Sequence, residues 1–299
     1  MRAPSGDQFE IAFEEQRAVV TEVGGGLRTY DVGDRQVVDA YGAGEMCSSG
    51  RGQVLAPWPN RIEDASYEFG GVRYELPVNE RQSQSAIHGL VRWVPWSVVE
   101  AEPQRVVVGH ELHPLPGYPF AVSLQIEYEL SGGGLRVSTT ATNVGAESCP
   151  FGLGFHPYLR PGTPPVDTAT LHLPARSVLG TNERSPVQGT DLDFLQPRAI
   201  GDTRLDTCFA DLERGEDGVA RVVLGNPTSD ASTTLWVDEA YGYLMVYTGD
   251  TRPDVSRRSL AVEPMTCPPQ AFRSGEDVVV LAPGESMAAT WGISPSSTT

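Results

Sequence analysis

From Ala121 to Leu130 apolar and polar residues alternate without a break: Val122, Leu124, Ile126, Tyr128 and Leu130 against Ser123, Gln125, Glu127 and Glu129. A period of two belongs to a strand with one buried face, because successive side chains leave opposite sides of an extended backbone. Ser131-Gly132-Gly133-Gly134 then reverses the chain, and Leu135, Val137, Thr139 and Ala141 resume the alternation. The pattern predicts an antiparallel hairpin. Elsewhere 32 glycines and 24 prolines are spread along the chain between short apolar runs, the punctuation of an all-β protein. Further strands are predicted at Gln36–Ala40, Tyr67–Phe69, Val72–Leu76, Val106–Val108, Thr170–Leu173, Val219–Leu224, Thr233–Val237, Tyr243–Tyr247, Val278–Leu281 and Ala288–Gly292. No window keeps a 3.6-residue period, so helices are expected only as short connectors. No proline-rich or charged linker divides the chain. We therefore expect one large β-sandwich-like domain over residues 1–299, with the polar end 294–299 frayed.

Composition narrows the function. A formal net charge of −17 opposes binding to nucleic acid or anionic membranes, which attract basic surfaces. No apolar run has the length of a transmembrane helix. Met1–Glu15 carries acidic residues and no continuous apolar core, so it is not read as a secretory signal, and a cytoplasmic protein is expected. All 22 basic residues are arginines. Chemistries that need a lysine amine, such as Schiff-base aldolases, pyridoxal-phosphate enzymes and lysine-bearing P-loops, are excluded. Cys47, Cys149, Cys208 and Cys267 form no C-x-x-C pair and are expected reduced and mostly buried. His110 and His113 would leave opposite faces of a strand, so no metal site is expected. No nucleophile elbow or dinucleotide fingerprint is present.

Two titratable groups stand in apolar settings. His156 lies in Phe151-Gly152-Leu153-Gly154-Phe155-His156-Pro157-Tyr158-Leu159, where the glycines admit close approach and Pro157 restrains the histidine to an extended backbone. It reads equally as a core histidine bonded to a carbonyl or as an acid–base group. Glu263 lies in Leu260-Ala261-Val262-Glu263-Pro264-Met265. Burial there would raise its pKa toward the range of a general base; as a strand-end residue before Pro264 it would instead face solvent. Asn60 and Arg61 follow the stiff segment Ala56-Pro57-Trp58-Pro59, and an arginine fork suits vicinal hydroxyls or an ion pair. His88 stands beside Gly89, and Asp206 is a lone carboxylate between apolar neighbours. Trp58, Trp93 and Trp96 could stack on a sugar ring, with core packing expected for at least two of them.

The blocks Pro57-Trp58-Pro59-Asn60-Arg61-Ile62, Ile87-His88-Gly89, Gly117-Tyr118-Pro119-Phe120, Gly152–Leu159, Asp206–Phe209, Tyr247-Thr248-Gly249 and Ala261-Val262-Glu263-Pro264 occur in this order. Together they resemble the aldose 1-epimerase, or galactose mutarotase, family. The resemblance runs from about residue 56 to about residue 272 and implies a single large β-supersandwich. It implies that His156 is the catalytic acid at the sugar ring oxygen and Glu263 the base at the anomeric hydroxyl. Arg61, His88 and Asp206, with Asn60 beside them, would bind sugar hydroxyls. No metal or organic cofactor is implied. The expected partner is a small-molecule monosaccharide such as glucose or galactose, and the chain is expected as a monomer or weak homodimer. For such a pair the histidine is expected near its ordinary pKa and the carboxylate only moderately raised.

The chain departs from the family pattern at Met245, where some members carry glutamine, and at Leu90-Val91-Arg92 after His88-Gly89. Arg92, Arg252, Arg257 and Arg258 leave a hexose 6-phosphate 1-epimerase open as an alternative, although ion pairing would equally account for them. A catalytically silent carbohydrate-binding protein on the same fold is a further alternative. A glycosidase using Asp206 and Glu263 as its two carboxylates ranks below these.

Overall fold

The computed structural model describes residues 2–162, 165–180, 184–226, 228–229 and 231–296. Almost every regular element is a strand; Ala271–Ser274 makes one turn of α-helix, and Glu63–Ala65 and Val166–Thr168 are 3₁₀ turns. The fold class is that predicted from the alternation and the turn punctuation.

A nine-stranded antiparallel sheet forms one layer. Its order is Ser97–Glu102, Arg105–Leu112, Val122–Ser131, Gly134–Asn143, Ser286–Pro295, Ser232–Val237, Ala220–Gly225, Thr170–His172 and Arg198–Ala199. The predicted hairpin is its centre, paired in register from Val122 with Asn143 to Ser131 with Gly134. Val122, Leu124, Ile126, Tyr128 and Leu130 are all buried in the core, as their period required. Ser294 and Pro295, placed in the frayed tail by the sequence reading, instead finish the last strand, pairing with Thr234 and Thr233. Ser296 donates its N–H to Ser232 O at 3.0 Å, while residues 297–299 lie outside the described range.

The second layer is a sheet of shorter strands. Its path runs Arg184–Pro186, Ala175–Leu179, Asp206–Leu212, Tyr243–Tyr247, Leu260–Met265, Gly154–Phe155 and Val54–Leu55, and Tyr158–Leu159 also pairs with Leu260–Met265. Leu244, Val246, Val262 and Phe155 belong to the main core on its inner face, where Phe155 meets Trp291 of the nine-stranded sheet at 5.2 Å between ring centroids. Cys208, Met245 and Met265 cluster separately on its outer face.

A four-stranded sheet of Gln8–Phe13, Gln16–Thr21, Leu27–Val32 and Arg35–Gln36 adds Ile11, Ala18, Val20, Leu27 and Tyr30 to the same core. The sequence reading passed over most of it, because Ala18, Val19 and Val20 are buried consecutively and show no alternation. The predicted strand Gln36–Ala40 is cut short. Val37 and Val38 both donate to Tyr30 O, at 2.9 and 3.4 Å, which breaks the ladder.

Candidate active site

Register brings the two titratable groups together. Gly154 pairs with Met265 and Tyr158 with Ala261, so His156 lies opposite Glu263 on the adjoining strand. His156 Nε2 is 3.2 Å from Glu263 Oε1. Glu263 is not at a solvent-facing strand end: Leu260–Met265 is a central strand buried along its whole length.

Each group is held by the chain around it. Gln53 O accepts the His156 backbone N–H at 3.1 Å, and Gly52 donates to His156 O at 2.9 Å. Tyr158 stacks on the imidazole at 5.0 Å and 15°. Gly50 also lies against the ring; at φ +75°, a Cβ there would lie 2.7 Å from His156 Cδ2, so only glycine fits without moving the ring. Gly154 has an analogous role for the proline segment, since a Cβ there would approach Pro59 Cβ to 2.8 Å. That close packing, with Gly152 N–H donating to Pro57 O at 2.7 Å, lays Asn60 and Arg61 against the His156 strand.

His88 is fixed by Asn60. The His88 N–H donates to Asn60 O at 2.8 Å, and the Asn60 N–H donates to His88 Nδ1 at 3.1 Å. Because a backbone N–H can only donate, Nδ1 is the acceptor and the ring proton of neutral His88 is on Nε2. Burial, with the charges of His156, Arg92 and Arg61, holds the His88 pKa well below its usual value. Arg61 forks onto Glu80 at 2.6 and 2.9 Å, leaving Nη1 without a hydrogen bond among the described residues. The ion pair weighed as an alternative to sugar binding is therefore real, and it also fixes the guanidinium in the site. Burial raises Asp206 despite the charge of Arg61.

All six predicted site residues, Asn60, Arg61, His88, Asp206, His156 and Glu263, line one cleft of about 260 Å³. Trp93 lines it too, 48% exposed, whereas Trp58 and Trp96 are buried in the core. Arg92 and Arg252 reach the cleft, but Arg257 is bound to Asp167 and Asp250, and Arg258 to Asp39. Cys267, four residues after Glu263, is fully buried and pushed up to about 12 by that burial, so it is no thiolate nucleophile.

His156 does not keep the ordinary pKa expected of it, and Glu263 shifts upward as expected but further. Burial, then the Arg92 and Arg252 charges, lowers His156 to about 3. Burial and the Asp206 charge raise Glu263 well above its usual value against the opposing Arg61. Among the described residues His156 Nδ1 and Glu263 Oε2 have no hydrogen-bond partner. Both shifts favour the uncharged forms, so a proton shared across the 3.2 Å contact is drawn toward Glu263 and away from His156 Nε2.

Donor atoms of His88, His156 and Glu263 lie within 4.8 Å of one another, the cluster among the described residues spaced for a metal ion. Tyr158 and Gly50 were missed as site residues. Tyr158 had a signal, being two residues after His156 and so on the same strand face. Gly50 had none, because its loop carries no pattern.

The model of the family described as "Aldose 1-epimerase" matches residues 7–294. An uncharacterized Escherichia coli K12 protein, YihR, is 34% identical over 94% of this chain and 91% of its own. Galactose mutarotase of Homo sapiens is 27% identical over 50% of this chain and 46% of its own. Among solved structures, an aldose epimerase homologue from C. elegans superposes with a TM-score of 0.86 at 16% identity, covering 98% of this chain and 99% of that one. Galactose 1-epimerase from Lactobacillus acidophilus superposes with a TM-score of 0.79 at 18% identity, covering 99% and 97%. At those identities the two structures establish a shared fold.

Proposed function

The chain belongs to the aldose 1-epimerase family, and from that premise we propose that it is a mutarotase interconverting the α and β anomers of a free hexose such as glucose or galactose. The observation that carries this reading is the His156–Glu263 pair, 3.2 Å apart on adjoining strands of a cleft lined by hydroxyl-binding groups.

Burial pushes the pair toward neutral imidazole and neutral carboxyl, whose tautomer of equal proton count is imidazolium and carboxylate. A bound sugar favours the charged tautomer, because its anomeric hydroxyl donates to Glu263 and its ring oxygen accepts from His156. Glu263 then takes the anomeric proton as His156 protonates the ring oxygen, and the hemiacetal opens to an aldehyde. Rotation about the bond between carbons one and two presents the other carbonyl face. Reclosure with the two groups exchanging roles delivers the other anomer and restores the pair. His88 Nε2–H, Arg61 Nη1, Asp206 and Asn60 orient the remaining hydroxyls, and no metal or organic cofactor enters the cycle.

The test is polarimetry of freshly dissolved α-anomers across a sugar panel, with His156→Ala and Glu263→Ala as controls. Accelerated mutarotation lost in both variants is expected. Rates no faster than buffer for every sugar would support the silent carbohydrate-binding alternative. Retained activity in either variant would sink the residue assignments.

A hexose 6-phosphate epimerase is the second reading, favoured by one observation. Arg92 and Arg252 line the cleft and both act on His156, the end where carbon six would hang beside the ring oxygen. Free and phosphorylated anomers assayed side by side separate the two. Either reading carries with it a cytoplasmic setting and a monomer or weak homodimer, which fractionation and sedimentation would check.

A further inference from the structure

We propose that the cavity beside the acid–base cleft is a second sugar subsite, and that the chain acts on reducing sugars carrying another sugar ring on carbon two. The proposal rests on the mutarotase reading for the placement of the first ring; its remaining support is geometric.

One transverse row of the outer sheet passes through both cavities. His156 lies opposite Glu263, Glu263 pairs with Met245, Met245 with Cys208, Cys208 with Leu179, and Leu179 with Arg184. Directly paired residues project to the same face. With strands about 4.8 Å apart, five steps make the row roughly 24 Å long. Its first three members line the cleft of about 260 Å³, and Met245 through Arg184 line a neighbouring cavity of about 630 Å³. Asn60, Arg61, Asp206 and Met245 border both, so the two spaces adjoin across a sill formed by these four residues.

The chemistry at one end of the row fixes what points along it. With the ring oxygen at His156 and the anomeric oxygen at Glu263, carbon two is the neighbour of carbon one on the side away from the ring oxygen. The next position in the row is Met245. A substituent on carbon two therefore crosses the sill into the larger cavity, whereas carbon six, attached beside the ring oxygen, leads the opposite way.

The larger cavity has the lining of a neutral sugar site. Met245, Cys208 and Leu179 make an apolar floor, packed as one cluster. Around it stand Arg184, Gln270 and Ser274. Arg184 is already compensated by Asp211 at 2.6 Å and Glu276 at 2.9 Å, so it offers directed donors without an unpaired charge. An apolar floor with a few placed polar groups matches a sugar ring, which has apolar faces and a hydroxyl edge. The cavity exceeds the first in volume, so it has room for a whole second ring. Met245 itself contributes a flexible thioether at the crossing point.

The test compares mutarotation of glucose, sophorose (a second glucose linked through carbon two) and gentiobiose (linked through carbon six) by the full-length protein. We expect kcat/KM for sophorose to exceed that for glucose by about ten-fold, with gentiobiose no better than glucose. Leu179→Trp and Ser274→Trp, which touch only the second cavity, should each remove that advantage and leave glucose unchanged. Two variants are used because Leu179 is partly buried while Ser274 is exposed, and circular dichroism checks that each folds. Sophorose turned over no faster than glucose, or an advantage that survives both substitutions, overturns the subsite while the mutarotase reading stands. Glucose, sophorose and gentiobiose all remaining at the buffer rate would instead overturn the mutarotase reading, and the subsite assignment with it.

Discussion

The two large sheets of this protein are built on opposite plans. The nine-stranded sheet sends one face into the core along long strands such as Val122–Ser131, and nearly every buried position there is apolar. The sheet opposite it has shorter strands, several of them buried along both faces, as in Leu260–Met265. Its inner face joins the core, while its outer row carries an imidazole, a carboxyl, a thioether and a thiol where a storage sheet would carry valines. Buried polar atoms without a partner among the described residues occur in both sheets, at Thr139 and Trp291 in the first and at His156 and Glu263 in the second, but those of the second belong to two titratable groups that face each other. Stability and chemistry are thus assigned to different layers, and that division can be attacked from either side.

The largest effect is expected in the site sheet. His156→Ala or Glu263→Gln should lower kcat by about 10³-fold or more. Both should stay folded, and Glu263→Gln should melt higher than the parent near neutral pH. The sign follows from the raised carboxyl: Glu263 favours the folded state below the ordinary glutamate pKa of 4.5, and that contribution is lost as pH rises, leaving a buried carboxyl that must either hold its proton or be desolvated. A thermal melt alongside polarimetry checks both halves; a large loss of stability in Glu263→Gln would break the comparison.

The converse comes next. Leu124→Ala in the nine-stranded sheet should cost about 2–5 kcal/mol of stability by leaving a core cavity. The fraction that remains folded should turn over sugar at the parental rate, as denaturant titration and active-fraction kinetics would show. Gly50→Ala sits between the two plans. The added methyl displaces the His156 ring, and a displacement near 1 Å is expected to lower kcat about 10²-fold, while alanine at φ +75° should also lower the melting temperature by a few degrees.

Last comes a pH dependence of stability. His156 is depressed to about 3 in the folded chain against 6.5 unfolded. Its contribution is therefore present above pH 6.5 and lost as pH falls toward 3. His156→Gln should flatten the acid limb of the melting-temperature profile relative to the parent. Identical acid limbs would mean that the imidazole is not held neutral by its surroundings.

What could be read from sequence divides along the same line. Alternation exposed the hairpin Val122–Asn143 because one face of it is apolar and the other polar. The buried runs Ala18–Val20 and Leu260–Met265 carry no such signal, since burial on both faces removes the period. The six predicted site residues were legible as ordered motifs, and their convergence on one cleft follows from a register that no motif states. Their proton affinities were misjudged for a related reason. Burial depth and the placement of Arg92 and Arg252 beside His156 are properties of the assembled site, not of any window of residues.

Asn60 grips His88 through two backbone groups, its C=O taking the His88 N–H and its N–H bonding Nδ1. Protonating Nδ1 would set two N–H groups against each other, so the bond from Asn60 itself keeps the ring in one tautomer with Nε2–H as the donor. The main chain thereby dictates the polarity of the contact: a sugar oxygen that meets His88 must accept, whichever anomer is bound.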